Sequence, residues 1–277
     1  AVNDSNKAFF SKLIDENRLV SIYSFENEEK LFEIHHSFKF CLLTCCSQKN
    51  TPHPVSGGFY LRRVDHLLDP RRIYTLQTSD FVRFNPNTKQ CPMFRTSYDA
   101  KLTGKIYKHT SIMINENTGE NPWGIKFGTI CHMSGDSGLF KTYKQLTSAG
   151  ATYSNGFFYT SKKVYVPLYE GKHIWLYNHH YGEFPIEGKR PNSIPPTSIT
   201  DLQDTNAPLY PWYWVDKEEV ENKLTRRDKE GKILWQWTHS YYIVFRDVTN
   251  ATNERTCVAT LMPSGVAAGD KAPLVFT

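Results

Sequence analysis

SNKAFFSKLIDENRLVSIYSFENEEKLFEIHHSFKFCLLTC, residues 5–45, decides how the chain is classed. Its first part places Ala8, Phe9, Leu13 and Ile14 at helical spacing, with Ser5 as the N-cap, which predicts a helix. LVSIYSF (19–25) and FKFCLLTC (38–45) then read as apolar strands. The second is nearly continuous, as in a sheet covered on both faces. Helix, strand, strand is the pattern expected at the end of an α/β domain. The opening AVNDSNKAFF has no initiator Met and reads as the middle of a longer protein.

Beyond QKNTPHPVSGG (48–58), a loop-like linker, the texture becomes mixed and strand-rich. GGFYLRR and RRIYTLQ predict short strands, and TSDFVRF a helical turn capped by Ser79 or Asp80. SYDAKLTGKIYKH (97–109) puts Tyr98, Leu102 and Ile106 on one helical face. WGIKFGTICHM (123–133) alternates, with Trp123, Ile125, Phe127, Cys131 and Met133 on one side, as in a half-buried strand. KTYKQLTSAG reads as a short helix closed by Gly150. ATYSNGFFYT (151–160) carries Asn155-Gly156, a hairpin signal, and KVYVPLYEG (163–171) is a further strand. Residues 182–211, rich in Pro and Ser, predict a long surface loop. DKEEVENKLTRR (216–227) predicts a helix with Asp216 and Glu219 in capping-box spacing. ILWQWTHSYYIVFR (233–246) and RTCVATLMP (255–263) read as long strands. The fold class is therefore α+β, with a helix-strand-strand piece over 1–47 and a mixed, strand-rich domain over 48–277.

At 277 residues the chain can bury a sizeable core, and its 39% hydrophobic and 22% charged content is that of a soluble globular protein. The aromatic share of 14% suits a β-rich core or a stacking surface. No apolar run reaches the length of a membrane helix, and no signal peptide opens the chain. The six cysteines show neither CxxC spacing nor a zinc quartet, so they read as buried free thiols in a reducing cytoplasm. Asn250-Ala251-Thr252 is a glycosylation sequon by form only. The net charge of +5 is unevenly spread. Residues 51–110 hold ten basic and four acidic side chains, a local excess of the kind phosphate attraction requires.

Catalytic signatures are missing: GxSxG, the P-loop, GxGxxG and HExxH do not occur. The pairs His35-His36 and His179-His180 cannot turn both rings to one metal, and Glu170 and Asp247 have no acid or base at a recognisable spacing. The polar tracts point elsewhere. CPMFRTSYDAK (91–101) sets Arg95, Ser97, Asp99 and Lys101 at a helix entry. YEGKHIWLYNHH (169–180) mixes Lys172, His173, Asn178 and His179 with aromatic rings. FRDVTNATNERTC (245–257) breaks two apolar runs with Arg246, Asp247, Asn250, Asn253, Glu254 and Arg255. These are side chains that read base edges, hold phosphates or stack on bases. They equally suit capped turns and ion pairs, with Asp247 bound to Arg255.

NPNTKQCPMFRTSYDAKLTGKIY (85–107), HMSGDSGLFKT (132–142), YVPLYEGKHI (165–174) and FRDVTNATNERTCVATLMP (245–263) resemble, in order, the characteristic blocks in the C-terminal part of large adenine-N6 DNA methyltransferases. That group includes type IIG restriction–modification enzymes and related phage-defence methylases. RLVSIYSFENEEKLFEIHHSFKFCLLT (18–44) resembles the stretch that closes their catalytic domain. The resemblance implies that residues 1–47 end a methyltransferase domain and that 48–277 form its DNA target-recognition domain. It implies a parent that methylates an extruded adenine with S-adenosylmethionine, linked or not to restriction. Asn85-Pro86-Asn87 and Asn121-Pro122-Trp123 do not fit the family's Asn-Pro-Pro-aromatic element. The catalytic motifs are thus expected upstream, with no catalytic residue, metal or cofactor in this segment.

On that basis Arg62, Arg63, Arg71, Arg72 and Lys89 are expected to hold phosphates. Arg95, Lys172, Asn253 and Arg255 are expected to lie near bases, Lys101 and His173 to contact DNA, and Phe32 to stack on the flipped base. Expected partners are double-stranded DNA, the rest of the methyltransferase chain, and a restriction or defence subunit, with no membrane. Trp212 departs from the family, which carries Arg before Tyr-Trp-Val. The ending GVAAGDKAPLVF is longer than usual and then stops, as in a truncated recognition region. Two rival classes follow from other features. The acidic, Pro-rich 182–230 region suits an interaction module that couples a methylase to a partner, and the aromatic content suits a glycan-binding β-domain.

Overall fold

In a computed structural model of the chain, residues 6–204, 207–250 and 253–277 are described. The cap expected at Ser5 and part of the 250–252 sequon fall outside them. The fold is α+β and strand-rich, and it divides into two compact units, Ala1–Gly124 and Ile125–Thr277. The junction expected at 47/48 falls between two strands of a single sheet, because the strand before it pairs with the strand after it.

The first unit begins with α1 (Lys7–Asp15), which buries Phe10, Leu13 and Ile14. The buried stripe includes Phe10 in place of the expected Phe9, which is exposed. Four strands follow: β1 (Leu19–Glu26), β2 (Lys39–Cys45), β3 (Val55–Leu61) and β4 (Tyr74–Leu76), in the order β2-β1-β3-β4. β1 runs antiparallel to β2 and parallel to β3. Then come α2 (Thr78–Phe84) and α3 (Ser97–His109). Ile22, Val55, Phe59, Leu76 and Phe81 close the core with α1, each fully buried apolar side chain contributing about 1.5–3 kcal/mol. Gln77 caps α2 and Asp80 closes its box from the third helical position, so neither residue expected as cap is the cap itself. Thr96 caps α3 and Asp99 answers it.

β2 corrects an expectation. Its near-continuous apolar run lies at the sheet edge with Leu42 51% exposed and Cys45 exposed. Only Cys91 and Cys131 of the six thiols are buried. An unbroken apolar run reports that a strand could be covered on both faces, not that it is.

The second unit carries β5 (Lys126–Gly128), α4 (Tyr143–Ser148), β6 (Thr152–Ser154), β7 (Phe157–Tyr159), β8 (Val164–Tyr169), α5 (Ile199–Gln203), β9 (Trp214–Asp216), α6 (Lys217–Lys223), β10 (Thr225–Arg227), β11 (Ile233–Gln236), β12 (Tyr241–Phe245), β13 (Ala259–Pro263), β14 (Ala267–Ala268) and β15 (Leu274–Phe276). One sheet runs β14-β8-β7-β6, with β9 also on β8; a second runs β13-β12-β15-β5; β10 and β11 form a ribbon. Val166, Leu168, Ile174, Val215, Val244 and Leu274 are wholly buried between their elements. Asn155 and Gly156 turn β6 into β7 at φ 50° and 87°, the conformation an Asn-Gly hairpin needs. Gly150 closes α4 at φ 79°.

Three expected elements differ. The strand over 123–133 shrinks to β5, with Trp123 and Phe127 exposed and Ile130 and Cys131 buried. The strand over 233–246 breaks into β11 and β12, which join different sheets. Asp216 caps α6 through the Glu218 amide at 3.1 Å rather than through a box with Glu219.

Candidate nucleic-acid interface

The ten basic residues of 51–110 separate into two groups. Six are bound to carboxylates. Arg62 forks onto Glu26 with two 3.1 Å bonds and reaches Glu28 at 2.7 Å. Burial pushes the Glu26 carboxyl up, but its bonds to Lys39 and Arg62 outweigh this and hold it below its ordinary value. Arg63 pairs with Asp65, Arg71 and Arg72 with Asp69, Arg83 with Asp80, and Lys89 with Asp15. Hydrogen bonds from the Arg71 side chain and backbone bring Asp69 down to about 2. All five residues expected to hold phosphates therefore pair with a carboxylate of the same unit, though Arg63 and Arg71 remain exposed and pairs of that kind are weak.

Arg95, Lys101, Lys105 and Lys108 form the other group, and among the described residues none of them pairs with a carboxylate. Three sit on α3. Lys101, Lys105 and Lys108 follow i, i+4, i+7 spacing, which aligns them on one helical stripe. They line a groove of about 730 Å³ whose other walls include Gln77 from the end of β4, and Arg83 and Phe84 from α2. The stripe spans about 10 Å of helix axis, roughly three steps of a nucleic-acid strand at about 3.4 Å each. Gly104 also lines the groove, with the Phe84 ring beside it. The Arg95 guanidinium lies 4.6 Å over the Tyr60 ring. Tyr60 stands at φ 58° where β3 carries an extra residue against β1.

Beside the stripe, Tyr98, Leu102 and Ile106 are exposed, so the apolar face of α3 does not enter the core. The helix is held instead by Ala100 and by Tyr107 set edge-on to Phe84.

In the second unit the two polar tracts of the sequence meet. Trp175 and Leu176 of the first line a small pocket of about 100 Å³ with Asn253, Glu254 and Arg255 of the second. Asp247 binds Lys271 at 2.8 Å, not Arg255, which leaves Arg255 exposed and, among the described residues, without a carboxylate. Arg246 lies 5.4 Å over the Trp175 ring.

Two expected contacts from the first tract turn inward. His173 is fully buried and Nδ1 accepts from the Glu170 amide at 2.8 Å. Burial lowers its imidazole to about 3, so the ring is neutral and does not reach a ligand. A side chain so placed is not available as the DNA contact expected of it. Lys172 turns onto the Phe184 ring at 5.3 Å and the Pro191 carbonyl at 3.4 Å. Arg190 reaches Glu170 from the same loop, so both cations fasten the 182–191 segment to β8.

Phe32 sits in the β1–β2 connection, 54% exposed, its ring set edge-on to Phe40 with centroids 4.8 Å apart. The buried Asn27 side chain fixes its position by bonding the Phe32 amide and carbonyl and the Ile34 carbonyl. Lys105 and Lys108 were missed although their spacing with Lys101 is readable in KLTGKIYK. Among the described residues no cluster of His, Cys, Asp and Glu has the makings of a metal site, and no helix is long and apolar enough to cross a membrane. No family model matches the chain, and no curated protein matches it in sequence.

Proposed function

We propose that this chain is the DNA target-recognition region of an adenine-N6 DNA methyltransferase, whose parent transfers methyl from S-adenosylmethionine. The observation that carries the DNA-binding part is the α3 groove, where Lys101, Lys105 and Lys108 are aligned and, among the described residues, have no carboxylate partner. Unpaired lysines on one helical stripe suit a run of phosphates, whereas ion-paired arginines serve the fold. The adenine-methyltransferase part rests on the ordered sequence blocks described above.

Duplex binding measured against salt tests the reading. Three lysine contacts alone give a log–log slope of about −2.7 or steeper. A flat response at low salt removes the DNA reading. It also turns attention to the exposed Tyr98, Leu102 and Ile106, which favour the coupling of a methylase to a protein partner.

A further inference from the structure

The second unit presents one aromatic ring to solvent at the tip of a rigid turn. Trp175 and Asn178 bond each other in both directions, at 2.7 and 3.1 Å, which leaves Leu176 and Tyr177 at the end of a tight hairpin. Tyr177 takes φ 59°, the left-handed region where a bulky side chain is strained and Gly or Asn is at ease. The side chain is 85% exposed, so burial does not offset that strain.

The turn beneath the ring is anchored. The Tyr177 amide donates to the Ala259 carbonyl at 3.1 Å. Trp175 stacks on Tyr181 at 5.0 Å and 22°, and the Arg246 guanidinium lies 5.4 Å from the Trp175 ring centre. Alongside, Asn253, Glu254 and Arg255 form the rim of the small pocket against Trp175 and Leu176. That rim mixes two kinds of donor with an acceptor. Such a mixture matches base edges better than a phosphate backbone, from which Glu254 is repelled.

We propose that Tyr177 is a base-stacking residue: its ring lies against a nucleobase of bound DNA whose edge faces the Asn253–Arg255 rim. The proposal rests on the DNA-recognition reading above. Every base offers a flat face, so the stack supplies affinity and the rim supplies discrimination.

The test uses the whole chain with duplexes carrying 2-aminopurine at single positions, and the variants Tyr177→Phe and Tyr177→Gly. Wild type and Tyr177→Phe bind within about twofold of each other and quench 2-aminopurine at one position, because both keep the ring. Tyr177→Gly relieves the left-handed strain and raises Tm, yet weakens binding about tenfold and abolishes the quench. A glycine variant that binds and quenches like wild type overturns the proposal and leaves DNA recognition standing. One that loses Tm along with binding makes Tyr177 structural and also overturns it. A wild-type chain that does not bind duplex overturns both readings.

Discussion

His173 shows how a residue that reads as functional can belong to the framework. Its ring is sealed in the core, neutral, with an imidazole lowered to about 3 by burial. In the unfolded chain the same group titrates near 6.5, so between those values the unfolded state holds more protons. The stability it contributes is complete above about pH 6.5 and falls as pH drops toward 3, by at most about 1.4 kcal/mol per pH unit. Thermal melts between pH 6.5 and 4.5, above the range of the depressed carboxylates, are expected to show Tm falling with pH. His173→Gln flattens that slope, and an unchanged slope contradicts the assignment. Arg255 gives the opposite lesson. Its neighbour Asp247 looked like its partner in sequence but takes Lys271 from another segment, 24 positions away. Residue type and local spacing marked the tract. Which cation stays available depended on a contact that local sequence does not encode.

At the scale of elements, local signals were legible where they fix backbone conformation. The Asn155-Gly156 hairpin and the Gly150 stop form as expected because each rests on φ preferences. Apolar runs were less informative. β2 carries a core-like sequence to a sheet edge, and residues 233–246 break between two sheets, since burial is set by neighbours distant in the chain. The helix α3 combines both cases: its existence was legible, but the face taken for its apolar side is exposed and its lysine stripe lines the groove. Lys101→Gln, Lys105→Gln and Lys108→Gln together should flatten the salt dependence of duplex binding by about 2.7 log units per log unit of salt. Tm should stay near wild type, because the three side chains lack ion pairs to lose. An unchanged slope in the triple variant moves the phosphate contacts away from α3.

Across the whole molecule, the pattern of elements gave the class as α+β and strand-rich, while the chain divides into compact units at 124/125. The parallel pairing of β1 with β3 draws residues 55–76 into the first unit, and a polar, Pro-containing stretch such as 48–54 looks the same whether it joins two domains or two strands. The charge count for 51–110 marked a segment rich in cations. Only the ion-pair pattern separated the six that meet a carboxylate from the four that do not among the described residues. Sequence specificity is the central claim, and it is tested by selection. The chain is incubated with a pool of random-sequence duplexes at moderate salt, and the retained fraction is sequenced over successive rounds. The account predicts enrichment of one short motif containing an invariant adenine. A pool that stays random while the chain still retains DNA would show charge attraction without recognition and would contradict it.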